Sequence, residues 1–179
     1  MMKILKTYRK AIIMVSILTG LYFFNKTIGL NAFKITLSNL KEFITIVPPI
    51  FLLVGLLDVW VPKETIIKLM GQNSGIKGIA TAFFLATAAA GPLYIAFPIA
   101  ALLLKKQARL AYVIFFLGVW SSTKLPIALY EIASLGLKFT IIHVGISLPL
   151  YLLVAFLIEK LTSDTSMNSI YEKAHSLTQ

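Results

Sequence analysis

Residues 78–104 read GIATAFFLATAAAGPLYIAFPIAALLL, 27 positions without a single Asp, Glu, Lys or Arg. As one straight helix this block would extend ~40 Å at 1.5 Å per residue, well beyond the ~30 Å hydrocarbon core of a bilayer. Gly91-Pro92 interrupts it near the middle and Pro98 does so again. Two arrangements follow: a single crossing, or a hairpin that dips in and returns, with legs of about 13 residues reaching ~20 Å. A single crossing separates the basic loops at 63–77 and 105–109, whereas a hairpin keeps both on the cytoplasmic side with the basic N-terminus. The positive-inside bias therefore favours the hairpin. The connection from Lys26 to Lys41 runs against it, being external and basic in that arrangement.

The following block, 110–137, repeats the pattern: apolar stretches flank a polar centre, Ser121-Ser122-Thr123-Lys124, closed by Pro126. Residues 139–158 form a further uncharged stretch containing His143 and Pro149. Upstream, the pattern predicts spans at 11–30 and 43–61 joined by a more polar connection at 31–42; the second holds Pro48-Pro49 early and Asp58 and Trp60 late. KETIIKLMG (63–71) predicts a short amphipathic helix at the membrane surface, stopped by Gly71. The N-terminus resembles a signal peptide but lacks a small-x-small cleavage site, so a retained first helix is expected. With 58% hydrophobic and only 13% charged residues, the expectation is an all-α, polytopic transmembrane helix bundle of about five hydrophobic segments, two of them discontinuous or hairpin-like. Residues 1–10 read as a basic cytoplasmic N-terminus, 11–158 as a single transmembrane domain and 159–179 as a polar, flexible tail, in a multi-pass protein of the cell membrane.

The net charge of +10 is no nucleic-acid signal, because the charges sit at span ends: Lys3, Lys6, Arg9 and Lys10 before the first, Lys105, Lys106 and Arg109 between two later ones. That placement suits anionic lipid surfaces. With no cysteine, disulfides and thiolate metal sites are excluded. His143 without a second ligand is weak ground for a metal, and Gly71-Gln72-Asn73-Ser74-Gly75 lacks the Lys-Ser/Thr finish of a phosphate-binding loop. No catalytic constellation is visible, so neither an enzyme nor a cofactor is expected.

NLKEFITIVPPIFLLVGLLDVWVPKETIIKLMG (39–71) resembles the opening of the predicted permease family of the YraQ/ArsP type: an acidic-flanked apolar helix (Glu42), a glycine in its second half (Gly55), an aromatic-Val-Pro exit (Trp60-Val61-Pro62) and an amphipathic helix ending in Gly71. GIKGIATAFFLATAAAGPLYIAFPIAALLLKKQA (75–108) is similar to that family's signature block, a small-residue break followed by proline and a short helix with a basic end. The resemblance extends over roughly residues 39–158 and implies a permease. It also implies that members have two related halves, of which this chain corresponds to one. Many members carry Cys-Ser-Cys at the break, where this sequence has Ala88-Ala89-Ala90. The thiols suited to trivalent arsenic are missing, so the family's arsenical activity is not implied here.

Lys124 is the leading candidate, since an ammonium at mid-membrane costs about 2.5–3.5 kcal/mol even on the lenient insertion scale and calls for a partner. Glu131, two helical turns on, is the named partner if the helix continues past Pro126; a surface helix with Lys124 snorkelling to water is the bland alternative. Ser121, Ser122 and Thr123 offer hydroxyls either to a solute or as caps for the second half-helix. Gly91 and Pro92 shape the break, and Tyr94 follows it. Interrupted apolar segments point to a transport pathway, because unwound backbone is tolerated only in protein or along a water-lined cavity. The expected function is therefore a half-size permease subunit for a small solute or ion, its pathway completed on forming a homodimer, or a heterodimer with a related half. The competing expectation is a membrane scaffold or assembly subunit that transports nothing.

Overall fold

The computed structural model describes residues 2–88 and 91–176; Ala89 and Ala90, part of the expected small-residue packing stretch, lie outside the described residues. Among the described residues the chain is all-α, with no strand. It divides into two compact units, Met1–Pro49 and Ile50–Gln179. Lys26–Leu57, Leu110–Leu135 and Leu137–Leu161 are long and apolar enough to cross a membrane. The boundary falls at Pro48-Pro49, inside a helix, where two ring nitrogens remove two hydrogen bonds from the ladder.

The first unit contains α1 (Met2–Phe24) and the start of α2 (Lys26–Trp60). They part at Asn25, whose Oδ1 accepts from the N–H groups of Thr27 (3.1 Å) and Ile28 (3.2 Å), as an N-cap does. The connection expected at 31–42 is instead helical throughout. That stretch holds neither Gly nor Pro, and the hydroxyl of Thr36 folds back onto the Ala32 carbonyl at 2.8 Å without breaking the ladder. Polarity marked a loop that backbone chemistry does not require.

The second unit is organised around α6 (Leu110–Ser122), which buries Tyr112, Phe115, Phe116, Val119 and Trp120. α4 (Gly75–Thr87) and α5 (Leu93–Lys105) each pack against it. Both the start of α4 and the end of α5 lie at one end of the unit, here the base. There the Arg109 N–H donates to the Met70 carbonyl (2.7 Å), Tyr112 Oη to the Gly75 carbonyl (3.1 Å) and Lys106 Nζ to the Val61 carbonyl (2.7 Å). The far ends of both helices meet at Gly91-Pro92, where Trp120 Nε1 donates to the Pro92 carbonyl (3.3 Å). The block at 78–104 is thus a hairpin with two 13-residue legs. Its tip turns at Gly91, whose φ of +110° suits a residue without Cβ.

α6 continues beyond the tip as α7 (Leu125–Leu135), after a break at Thr123-Lys124. α8 (Leu137–Leu161) returns the full length, ~37 Å by rise, opposing Tyr151 to Gly118 and Glu159 to Arg109. α3 (Lys63–Met70) buries Ile66 and Met70 at the base, as its amphipathic pattern predicts. Residues 164–176 form α9 (Asp164–Ser176), packed on α5, with Tyr171 Oη donating to the Ala108 carbonyl (2.9 Å). Much of α8's apolar surface faces outward, including Ile141, Ile146 and Leu153. Such a surface is stable only against lipid or another apolar chain.

Two outcomes check this packing. At Gly78 an added Cβ would collide with the Tyr112 ring, whereas at Gly145 nothing lies within 4 Å. Gly78→Val should therefore cost about 1–3 kcal/mol of stability in detergent, with Gly145→Val far milder in the same thermal melts. Burial, reinforced by the Glu159 carboxylate, raises the Tyr171 phenol above its ordinary value. The docked state thus prefers the protonated ring, a stabilisation complete below about pH 10 and fading as pH rises through the higher docked value. A tyrosinate difference titration between the native chain and Tyr171→Phe should show that shifted midpoint; an ordinary midpoint would mean that α9 does not bury the ring.

Candidate functional site

The hairpin tip and the break in α6–α7 come together some 13 residues from the base, ~20 Å along the helices and near mid-span of α8. Lys124 joins them. It is 8% exposed, its Nζ donates to the Gly91 carbonyl, and it lies 5.9 Å from the centre of the Trp120 ring. With Trp120 Nε1 on the Pro92 carbonyl, two side chains from α6 and its break hold the two successive carbonyls of the tip. The Pro92 carbonyl also accepts from the Ile95 N–H (3.2 Å) as the N-cap of α5; for the Gly91 carbonyl, outside both helices, hydrocarbon offers no other donor.

The hydroxyls divide by role. Ser121 Oγ donates to the Gly118 carbonyl (2.7 Å) and Thr123 Oγ1 to the Val119 carbonyl (3.2 Å), both folding back onto the end of α6. Neither caps α7, which begins at Leu125 with Pro126 in its first turn and no side-chain cap; of the two roles the sequence left open for this trio, capping is not the one they perform. Ser122 Oγ instead pairs with Tyr151 Oη across to α8. Beside this pair, Leu93 and Phe97 of α5, Leu117 and Ser121 of α6, and Tyr151 and Val154 of α8 line a groove of about 280 Å³. Tyr94 is exposed in the first turn of α5.

Glu131 is not Lys124's partner. Its carboxylate meets His143 Nδ1 of α8 at 3.0 Å. The helical face count from Lys124 to Glu131 fails because Lys124 has extended backbone (φ −65°, ψ 155°) and precedes the helix that carries Glu131. Trp120, Tyr151 and His143 complete these contacts and were not singled out as partners. Trp120 and Tyr151 carry no sequence signal, being ordinary aromatic residues in apolar helices. His143 had one, a lone imidazole in an apolar span that needed a carboxylate within reach.

At the base, Arg109 Nε binds Glu159 (2.9 Å), with its guanidinium 5.4 Å from the Tyr112 ring centre and 5.0 Å from that of Phe156. This clamp fixes α6 against α8 outside the apolar span. It keeps the tip-facing ends of both helices in register.

The model of a family described as predicted permease (ArsP_1) matches residues 29–177. No curated protein and no solved structure matches the chain.

A double-mutant cycle tests the Ser122–Tyr151 contact. Ser122→Ala and Tyr151→Phe should each lower stability, and the double variant should lose less than their sum by about 0.5–1.5 kcal/mol. Additive losses in reversible detergent unfolding would show that the two hydroxyls do not interact.

Proposed function

This chain belongs to the predicted permease family, and on that premise we propose that it passes a small solute or ion across the cell membrane at the junction of hairpin tip and broken helix. A permease needs a place near mid-membrane where polar groups face a route rather than lipid, and half-helices commonly supply it. The observation that carries the reading is the buried Lys124 bridging the two breaks. An intramembrane charge held at two discontinuities is costly to keep for packing alone. Gly91, Pro92 and Pro126 shape the junction in this proposal, and Ser122 and Lys124 present polar groups along it. Ser121, Thr123 and Tyr94 border it, and Glu131 acts one level further out, with His143.

The complete pathway is proposed to form between two chains, either two copies of this one or this chain and a related half. α7 has no fully buried residue and meets α8 along the face that carries Glu131, so its other faces are left for lipid or a partner, and one bundle of this size encloses the junction on few sides. The outward apolar faces of α7 and α8 suit such a partner.

The absence of cysteine permits a direct test in vesicles containing the full chain. Single cysteines at Ala88 and Ser122 should react with a membrane-impermeant thiol reagent, while Leu153→Cys, on the outward face of α8, should not. If the junction cysteines stay silent while Lys105→Cys reacts, the breaks are dry packing features, and the scaffold reading replaces the permease. A detergent complex carrying one chain only would rule out the dimer.

A further inference from the structure

We infer that the junction selects anions, the Lys124 ammonium supplying the charge that recognises them. This inference rests on the pathway reading above and assigns the solute its sign. Its basis is an imbalance of charge. The described contacts of Lys124 are a neutral carbonyl and an aromatic face. The described carboxylates of this unit are engaged or placed elsewhere: Glu131 with His143, Glu159 with Arg109, and Glu64, Asp164 and Glu172 on the basal helices α3 and α9. A lysine only 8% exposed is thus left without a described counter-charge, in surroundings where an unpaired charge is expensive.

The helix ends do not provide the missing charge. Four meet here: the C-termini of α4 and α6 and the N-termini of α5 and α7. Their partial charges, two of each sign, oppose one another, so the ammonium sets the sign of the local field. A cation entering the junction is repelled, and a neutral solute gains little from the charge. An anion supplies a charge that the described side chains do not. Nor must it displace the tip, because an ammonium has three N–H donors and the Gly91 carbonyl occupies one. A second unmet group lies close along the chain: the Thr87 hydroxyl, in the last residue of α4, is buried with no hydrogen-bond partner among the described residues. A hydroxyl donates to a small anion as readily as to a carbonyl. The Ser122–Tyr151 pair, two residues before Lys124 along the chain and across on α8, adds two more hydroxyls.

The test uses reagent charge as the probe, with the full chain in vesicles. Ser122→Cys and Ala88→Cys are treated with an anionic sulfonatoethyl and a cationic trimethylammonioethyl methanethiosulfonate. Rates are normalised to a free thiol in solution. The anionic reagent should react at least tenfold faster at both positions. Lys124→Gln, which keeps a donor for the Gly91 carbonyl but removes the charge, should abolish that preference, while Lys124→Arg should retain it. Equal or faster reaction with the cationic reagent, or a preference indifferent to Lys124→Gln, overturns the anion inference and leaves the pathway standing. Silence with both reagents overturns the pathway itself and the inference with it. Should Lys124→Gln fail to fold, a native-lysine preference that collapses when lysines are amidinated (charge kept) would refute the inference, and one that survives amidination but falls on acetylation (charge lost) would uphold it.

Discussion

A carbonyl turned away from its helix inside hydrocarbon must find a donor, and this requirement governs the second unit. A hairpin that stops halfway exposes backbone at its tip: the Gly91 carbonyl lies outside both helices there, while the Pro92 carbonyl keeps a bond from the Ile95 N–H of α5. Each such group costs several kcal/mol if unmet. Lys124 meets the Gly91 carbonyl, and Trp120 adds a second donor to that of Pro92. Because these donors lie at the end of α6 and in its break, the helix must be interrupted where the hairpin ends. One discontinuity makes the other tolerable.

The remaining packing positions those two breaks at one height. Hairpin legs and α6 are each 13 residues long, so helices that share a base reach the same level. The base is fastened outside the apolar layer by Arg109–Glu159 and by backbone and side-chain bonds to the carbonyls of Met70, Gly75 and Val61. Between that base and the breaks, the aromatic side chains Tyr112, Phe115 and Phe116 of α6 are buried against its neighbours. Tyr112 spans the two regions, with its ring in the core and its hydroxyl on the base.

Much of this was legible in the residue order. Length against bilayer thickness, with Gly91-Pro92 at the centre, favoured a hairpin, and Ser121 to Pro126 marked the second break. Lys124 stood out through the cost of its charge alone. The partners did not stand out, because they are set across helices rather than along them. Glu131 seemed to belong to Lys124 only while the helix was assumed to run unbroken between them. The break that made Lys124 conspicuous is also what separated the pair and released Glu131 to His143. The helix through residues 31–42 was missed for the opposite reason: polar residues suggested a loop, yet none of them obliges the backbone to leave the helix.

A lysine serves at this junction better than a neutral donor would. Had the tip needed only a hydrogen bond, a serine or asparagine would satisfy a carbonyl without bringing an ionic charge into the bundle. The ammonium adds a charge that its described surroundings do not balance, and the imbalance raises the cost of the resting state. A site whose resting state is strained in this way is improved by an anion and made worse by a cation. On the inference above, the ammonium that holds the Gly91 carbonyl is also the group an anion would meet. Structural necessity and selectivity reside in one side chain, and removing its charge while keeping its donor separates the two.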